Sequence, residues 1–298
     1  MSASSPVGGS VGVVVVHFGD LAPSSACVRA LLKDSSPCRR RIVVVDNSGN
    51  LAAGALPGAE ILSAGGNRGF GAGANLGAAH LGAGPWDALV ILNNDVEVAN
   101  GFLAAARDAL GEHGAGAVAG PLYLDKPGGK LWYAGGSVGF LTGTVRQSRS
   151  ARLAQRRRTV GFFPGAAFAV NPQAWRQVGG FDPGYFLYNE DVDLCLRLRR
   201  RGYRLLFAPR MMAVHRLGVV TGSRGRSPLY LEKMAETRLR PFRPLAFRLY
   251  LAVLHSGYVL LRSLWHLGLG GAAGRRAAGA LLRGHTKALA GIRRDPLP

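Results

Sequence analysis

Acidic side chains are scarce in this chain: 17 Asp+Glu stand against 37 Lys+Arg, a formal net charge of +20. A surface of that sign seeks polyanions, and nucleic acid, anionic lipid and phosphorylated ligands all remain as partner classes on charge alone. Cysteine is scarcer still. Cys27, Cys38 and Cys195 form an odd set with no CxxC spacing, which argues against a disulfide scaffold or a structural zinc site and suits a reducing cytosol. No basic segment precedes the first apolar run in "MSASSPVGGSVGVVVVHFGD", so residues 11–16 read as a strand and not as the core of a signal peptide. Unbroken apolar runs of membrane-spanning length are missing too. The best candidate, "LAFRLYLAVLHSGYVLLRSLWHLGLGGAAG", is interrupted by Arg248, His255 and Arg262, leaving stretches shorter than the roughly 20 residues a bilayer core needs. There is no internal repeat, no GxGxxG and no GxxxxGKS/T. RRM, KH and helix-turn-helix signatures are absent and the basic runs lack interleaved aromatic platforms, so no nucleic-acid partner is expected.

What is present is a glycine-rich chain able to build a core: 43 Gly and 48% hydrophobic residues in 298, enough for one large domain or one domain plus a smaller appendage. The runs "VGVVVVHF", "RIVVVDNSGN", "AEILSA", "DALVILNNDVEV" and "GAVAGPLYL" are short, continuous and rich in β-branched residues, the pattern of strands buried on both faces. Helix-length segments lie between them at 23–32, 71–80 and 101–111. This alternation predicts an α/β domain with a mostly parallel sheet. Ligands of such sheets bind beyond the carboxyl ends of the strands. His17, Asp46, Asn47, Asn93, Asn94 and Asp95 each follow an apolar run, so they are expected along one edge.

Further on, 143–159 holds six arginines and no acid and reads as a mobile loop. "VGFFPGAAFAV" resumes strand character. "NPQAWRQVGGF" reads as a short helix capped by Asn171 with Pro172 in its first position. "PFRP" at 241–244 marks a boundary, beyond which Arg243, Arg248, Arg262, Arg275, Arg276, Arg283, Lys287, Arg293 and Arg294 face one acid, Asp295.

Four constellations carry candidate chemistry, each beside a plainer reading. Asp95 in "ILNNDVEV" is either a turn residue or a carboxylate for a hard divalent cation, which binds one or two carboxylates plus substrate phosphates. Asp46 in "VVVDNSG" is either a turn former or an acceptor for a base N–H or ribose hydroxyl. "GGNRGFGAGANLGAAH" leads into a helix whose first amides suit a phosphate, with Asn67, Arg68 and Asn75 polar enough to touch a nucleotide. In "GGFDPGYFLYNEDVDLCLRLRRRGYR" a helix from Glu190, capped by Asn189, has acids in its first turn and arginines in its last, as the helix dipole favours. That pattern leaves the aromatics Tyr185, Phe186 and Tyr188 unexplained, and apolar walls beside a carboxylate raise its pKa toward a general base's. His215, after another apolar run, is structural or a neutral metal ligand.

Together, "VVVVHFG", "VVDNSGN", "GNRGFGAGANLGA", "ILNNDVEV", "FPGAAFAV", "VGGFDPGYFLYNEDVDLCLRLRRRGYR" and "VHRLG" resemble, in order and over about residues 11–220, the family 2 glycosyltransferases of the GT-A fold, particularly their bacterial rhamnosyltransferase-like branch. The resemblance implies a GT-A (Rossmann-like) α/β domain over 1–240, with a basic amphipathic helical extension at 241–298. It implies inverting sugar transfer from a dTDP-, UDP- or GDP-linked donor to a glycan or lipid-linked acceptor, as in cell-envelope polysaccharide synthesis. By the same resemblance "NND" stands at the DXD-type motif. Asp95 and His215 are then the Mg²⁺ or Mn²⁺ ligands, Asp191 the catalytic base with Glu190 beside it, and His17, Asp46, Asn67, Arg68, Asn75 and Asn94 line the donor site. His17 departs from the branch's usual Thr-Tyr-Asn. The tail is expected either to lie on an anionic membrane surface, making the enzyme cytoplasmic and peripheral to the inner face of the membrane, or to pack as a helical subdomain or oligomer contact. A nucleotidyltransferase and a basic nucleic-acid-binding protein are the competing readings.

Overall fold

Valine-rich runs become strands because β-branched side chains fit a pleated, buried surface, and the longest of them form the centre of the sheet. The computed structural model describes residues 9–216, 227–268 and 271–293. Strands β1 (Ser10–His17), β2 (Arg39–Asp46), β3 (Glu60–Ser63) and β4 (Ala88–Asn93) alternate with helices α1 (Leu21–Lys33) and α2 (Phe70–Leu81). These four strands are mutually parallel, in the order β4-β1-β2-β3. Their register sets His17 opposite Asp46 and Val16 opposite Asn93, so the carboxyl ends finish nearly level.

The run "DALVILNNDVEV" does not continue as one strand. It breaks at Asn94–Asp95, and β5 (Val96–Val98) leaves the main sheet for another. Then follow α3 (Phe102–Leu110), β6 (Ala115–Ala119), β7 (Leu122–Tyr123), β8 (Leu131–Tyr133), β9 (Gly136–Val138), β10 (Val145–Gln147), α4 (Ala151–Ala154), β11 (Arg158–Thr159), β12 (Ala167–Val170), α5 (Pro172–Val178), α6 (Glu190–Arg200), β13 (Arg204–Phe207) and β14 (Ala213–His215). The main sheet has eight strands in the order β11-β13-β6-β12-β4-β1-β2-β3, with β12 antiparallel to both neighbours and β11 antiparallel at the edge. A four-stranded sheet, β5-β14-β7-β8, sits at the carboxyl end of β4, and β9 pairs with β10.

Local capping explains several boundaries. Asn171 caps α5 through Gln173 and Ala174, with Pro172 at the first position, as expected. The glycine before α3 has no side chain, so Asp34 supplies the cap from the end of α1: its carboxylate accepts from the amides of Gly101 (3.2 Å) and Leu103 (3.0 Å), and Ser36 Oγ from Ala104 (2.9 Å). Segment 143–159, expected as a mobile loop, instead holds β10, α4 and β11. Ser150 caps α4, and the Arg158 guanidinium lies 4.5 Å over the Phe207 ring while donating to main-chain carbonyls. The arginines there are partly structural, which an acid-free run conceals.

Three helices close the described chain: α7 (Pro228–Thr237), α8 (Leu245–Gly268) and α9 (Gly271–Ala290). They pack on the α/β domain through Leu239, Phe242, Leu251, Ala252 and Ala288, with Val138 and Leu196 of that domain against them. Helix α8 has 24 residues, and its most apolar 18-residue stretch has a mean hydropathy of 1.2, long and apolar enough to cross a membrane by length and composition alone, so Arg248, His255 and Arg262 interrupt it less than the sequence implied. Arg248 and His255 are buried against protein. Arg294 and Asp295 lie outside the described residues.

Burial, and then the Arg238 guanidinium donating to its Nε2 at 3.1 Å, push His255 down to about 4. An unfolded histidine protonates near ~6.5, so lowering the pH through that value favours the unfolded state until the folded imidazole also titrates. Stability is therefore expected to be full above ~6.5 and to fall progressively toward pH 4. Urea midpoints across that range, flattened in His255→Phe, check this.

Candidate active site

A series of contacts runs along the carboxyl edge of the sheet. At the end of β1, His17 is fully buried; its Nδ1 lies 2.6 Å from Ser24 Oγ and its Nε2 2.9 Å from Asn50 Oδ1. At the end of β2, the Asp46 carboxylate accepts from the amides of Ser48 (2.9 Å), Gly49 (2.8 Å) and Leu51 (2.9 Å). These amides hold its pKa below the usual carboxylate range in spite of burial, the largest opposing influence. Both side chains thus shape the Asn47–Leu51 loop. Asn47 Nδ2 donates to the Gly69 carbonyl at 3.0 Å, joining β2 to the glycine-rich segment.

Gly69 has φ +83°, and a Cβ there would lie 2.1 Å from the Phe186 carbonyl oxygen. Only glycine permits that approach, so the two segments noted in the sequence for glycines and for aromatics touch main chain to main chain. Asn67 accepts from the Gly69 amide at 3.0 Å, and both Asn67 and Arg68 are exposed at the tip. Asn75 is turned elsewhere: its side chain donates to the Phe181 carbonyl (2.7 Å) and accepts from the Phe181 amide (2.9 Å), clamping α2 to the aromatic loop.

That loop ends in two consecutive non-glycine residues with positive φ, Tyr188 (+68°) and Asn189 (+65°). Such conformations persist only where surroundings over-determine them, and here α7 does so. The Tyr188 and Tyr230 rings meet edge-on at 4.9 Å, and Asn189 Nδ2 donates to Thr237 Oγ1 at 2.8 Å. Asn189 therefore occupies the N-cap position of α6 without capping it. Its side chain is committed to α7, a partner more than forty residues away that no local pattern reveals.

The acids follow. Asp191 Oδ1 accepts from its neighbour Val192's amide (2.8 Å) and Oδ2 from the Gly165 amide (3.0 Å). Asp191 is only half-buried, but desolvation by the groups packed around it outweighs these donors and raises its pKa. Glu190 is buried, its Oε2 has no hydrogen-bond partner, and burial and then the Asp191 charge push it up as well. Glu190, pushed up further by its burial and by the Asp191 charge, is the member of the pair that holds a proton more readily. Asp193 has a different task. It pairs with Arg197 one turn on (2.6 Å), both almost wholly buried. Removing the guanidinium in Arg197→Met strands a buried carboxylate and is expected to cost about 3–5 kcal/mol, measurable by urea denaturation.

Gly165 continues the series. Its neighbour Ala166 accepts from the Asn93 amide at 2.9 Å, Asn94 Nδ2 donates to the Phe18 carbonyl and to Ser24 Oγ (both 3.1 Å), and Asp95 follows. There β5 and β14 pair with His215 opposite Val96. His215 Nε2 lies 3.1 Å from Asp95 Oδ1, and both are buried. The pair is not aligned as a hydrogen bond: Asp95 Oδ1 and His215 Nδ1 have no hydrogen-bond partner. An orphaned carboxylate oxygen beside an imidazole nitrogen, within reach of one point, fits a hard or borderline divalent cation. No group of three or more His, Cys, Asp or Glu that could hold a metal occurs among the described residues, so further ligands would be substrate oxygens or water. The Trp132 ring packs edge-on against His215 at 4.9 Å. Trp132, Gly165, Ser24 and Thr237 went unnoticed in the sequence; each acts through packing or a single main- or side-chain bond that lacks a motif.

A Rossmann-like sheet whose fourth strand breaks at Asn94–Asp95 into a second, smaller sheet is the architecture of a GT-A-type glycosyltransferase domain. The chain belongs to that class by sequence as well: the family model "Glycosyltransferase like family 2" matches residues 8–241. It is similar to the N-acetylglucosaminyl-diphospho-decaprenol L-rhamnosyltransferase of Mycobacterium tuberculosis, with 31% identity over 199 residues, spanning 59% of this chain and 65% of that protein. It is also similar to the rhamnosyltransferase WbbL of Escherichia coli K12, with 36% identity over 78 residues, 26% of this chain and 30% of that one. The matched segments span less than two thirds of either relative. Among solved structures, GalNAc-T7 with UDP, GalNAc and Mn²⁺ shares the fold, with a TM-score of 0.56 and 17% identity over 76% of this chain and 48% of that one.

Proposed function

We propose that this glycosyltransferase moves a sugar, with inversion, from a nucleotide-diphosphate donor to a hydroxyl of a lipid-linked or glycan acceptor, Asp191 serving as the base. The observation that carries the reading is the Asp191–Gly165 bond. It ties a carboxylate of raised pKa to the segment that pairs with β4, two residues before Asp95. A donor whose diphosphate lies at Asp95 would then present its anomeric carbon toward Asp191. Asp191 takes the acceptor proton as the hydroxyl attacks from the face opposite the phosphate, and protonated Glu190 keeps the pair from carrying two charges. Asp95 and His215 would hold the cation, Mg²⁺ or Mn²⁺, which supplies positive charge to the departing diphosphate.

For the donor, Asn67 and Arg68 remain free to touch it at the loop tip. His17, Asp46, Asn75 and Asn94 are assigned to fixing the loops around it, since their polar atoms are used within the protein. The names of the relatives favour a rhamnosyl donor and a polyprenyl-diphosphate sugar acceptor, and hence a cytoplasmic enzyme at the membrane face. The family match ends at 241, which supports taking 1–240 as catalytic and 241–298 as an extension. A panel of dTDP-, UDP- and GDP-sugars with Mg²⁺ or Mn²⁺ tests the reading. Metal-dependent nucleoside diphosphate release supports it; pyrophosphate release would mark a nucleotidyltransferase instead.

A further inference from the structure

Helix α8 is amphipathic the wrong way round for a protein in water. Toward the protein it turns Arg248, His255 and Ser263 together with Leu251, Ala252 and Val259. Outward it shows Leu249, Tyr250, Val253 (74% exposed), Leu254, Leu260, Leu261 (70%), Leu264 and Trp265. Positions 250, 253, 254, 257, 260, 261, 264 and 265 recur at helical spacing, so they make one continuous stripe. Monomeric soluble proteins rarely leave an apolar patch of this size open.

The stripe is lengthened by a second element. The turn between β9 and β10 presents Phe140 (87% exposed) and Leu141 (65%). The Phe140 ring stacks on Phe247 at 6.2 Å, and Phe247 stacks on Tyr250 at 5.9 Å, which joins the turn to the stripe. Basic groups flank it: Arg262 lies 4.7 Å over the Trp265 ring, and Arg275 and Arg276 are exposed on α9.

We propose that the outward stripe of α8, with the Phe140–Leu141 turn as a second anchor, lies in the interface of a bilayer containing anionic lipid, making the protein monotopic. A second copy of this chain fits the surface poorly, because association would bring together two molecules each carrying +20. A membrane span fits poorly as well, because the polar face of α8 is packed against the protein and only one face is open. Anionic headgroups complement the flanking arginines, and Trp and Tyr suit the headgroup depth. The docking rests on exposure and charge alone. Its consequence for catalysis rests on the reading above: the Gly136 carbonyl accepts from the amides of Gly161 and Phe162, so the anchored hairpin is joined to the segment that ends at Gly165, the partner of Asp191.

Full-length protein is floated with vesicles of phosphatidylcholine alone or with one quarter phosphatidylglycerol, beside the variants Phe140→Asp/Leu141→Asp and Val253→Asp/Leu261→Asp. Wild type is expected to float with the anionic vesicles, less so in high salt, and each double variant to partition at least about tenfold less. Failure of the wild type to float, or wild-type flotation by both variants, overturns the proposal. Resistance of bound protein to alkaline carbonate extraction overturns it in favour of a span. A dimer lost in the variants while flotation persists overturns it in favour of a second copy. Nucleoside diphosphate binding by calorimetry, unchanged in these variants, separates loss of docking from loss of the donor site.

Discussion

Asp191→Asn is expected to lower sugar transfer by about 10²–10⁴-fold, the usual worth of a general base, while leaving nucleoside diphosphate affinity within about twofold, since the base faces the acceptor. Asn preserves the shape and, through its carbonyl oxygen, one of the two main-chain bonds that Asp191 accepts, and an unchanged urea midpoint separates loss of the base from loss of the fold. The pH profile gives an independent reading. Desolvation raises Asp191, and a base works only when ionised. The rate should therefore fall on acidification at a pH well above the ~4 of an ordinary carboxylate. Glu190→Gln replaces one uncharged neighbour by another, so that acid limb should stay where Asp191 sets it, with a smaller loss of rate. Loss of donor affinity in Asp191→Asn with undiminished turnover of bound donor would remove Asp191 from the role of base.

The arginine-flanked acid cluster of α6 divides three ways in the structure. Asp191 meets Gly165, Glu190 is buried with its Oε2 unpartnered, and Asp193 is neutralised by Arg197. Their concentration was legible as a helix start; their division of labour was not, because it depends on which face of α6 each occupies. The parallel half of the sheet was legible for a simple reason: β-branched runs buried on both faces leave no alternating pattern to confuse with anything else. The antiparallel insertion of β12 was not, since a four-residue run of Ala, Phe, Ala and Val carries no direction. Similarly, "ILNNDVEV" gave the polar corner but not the change of sheet, which brings His215 to Asp95 from 120 positions away. His17 and Asp46 lie at the strand ends as expected, yet their partners Ser24, Asn50 and the 48–51 amides are local groups of a kind found in any turn. The orientation of the tail was not legible, because its helical period shows two faces and only packing tells which one is turned inward.

Asp95→Ala carries the other large expectation: the combined stabilisation by Mn²⁺ and a nucleoside diphosphate should vanish. A ligand at one hundred times its dissociation constant stabilises the native state by about 2.7 kcal/mol, several degrees in melting temperature for a domain of this size. The unliganded protein should change little. Asp95 Oδ1 has no hydrogen-bond donor to strand, and the Asp95 carbonyl, which accepts from the Arg216 amide at 2.9 Å, is retained. Arg216 also keeps its ion pair with Glu97 (2.9 Å), which fixes the β5–β14 corner independently of the carboxylate. His215→Ala should weaken the same response partially, since one carboxylate with phosphate oxygens still holds a hard cation. The loss should be specific to the pair of ligands: the nucleoside diphosphate without metal should shift wild type and Asp95→Ala equally. A full Mn²⁺-dependent shift in Asp95→Ala would instead move the cation elsewhere, and with it the end of the donor that Asp191 is taken to face.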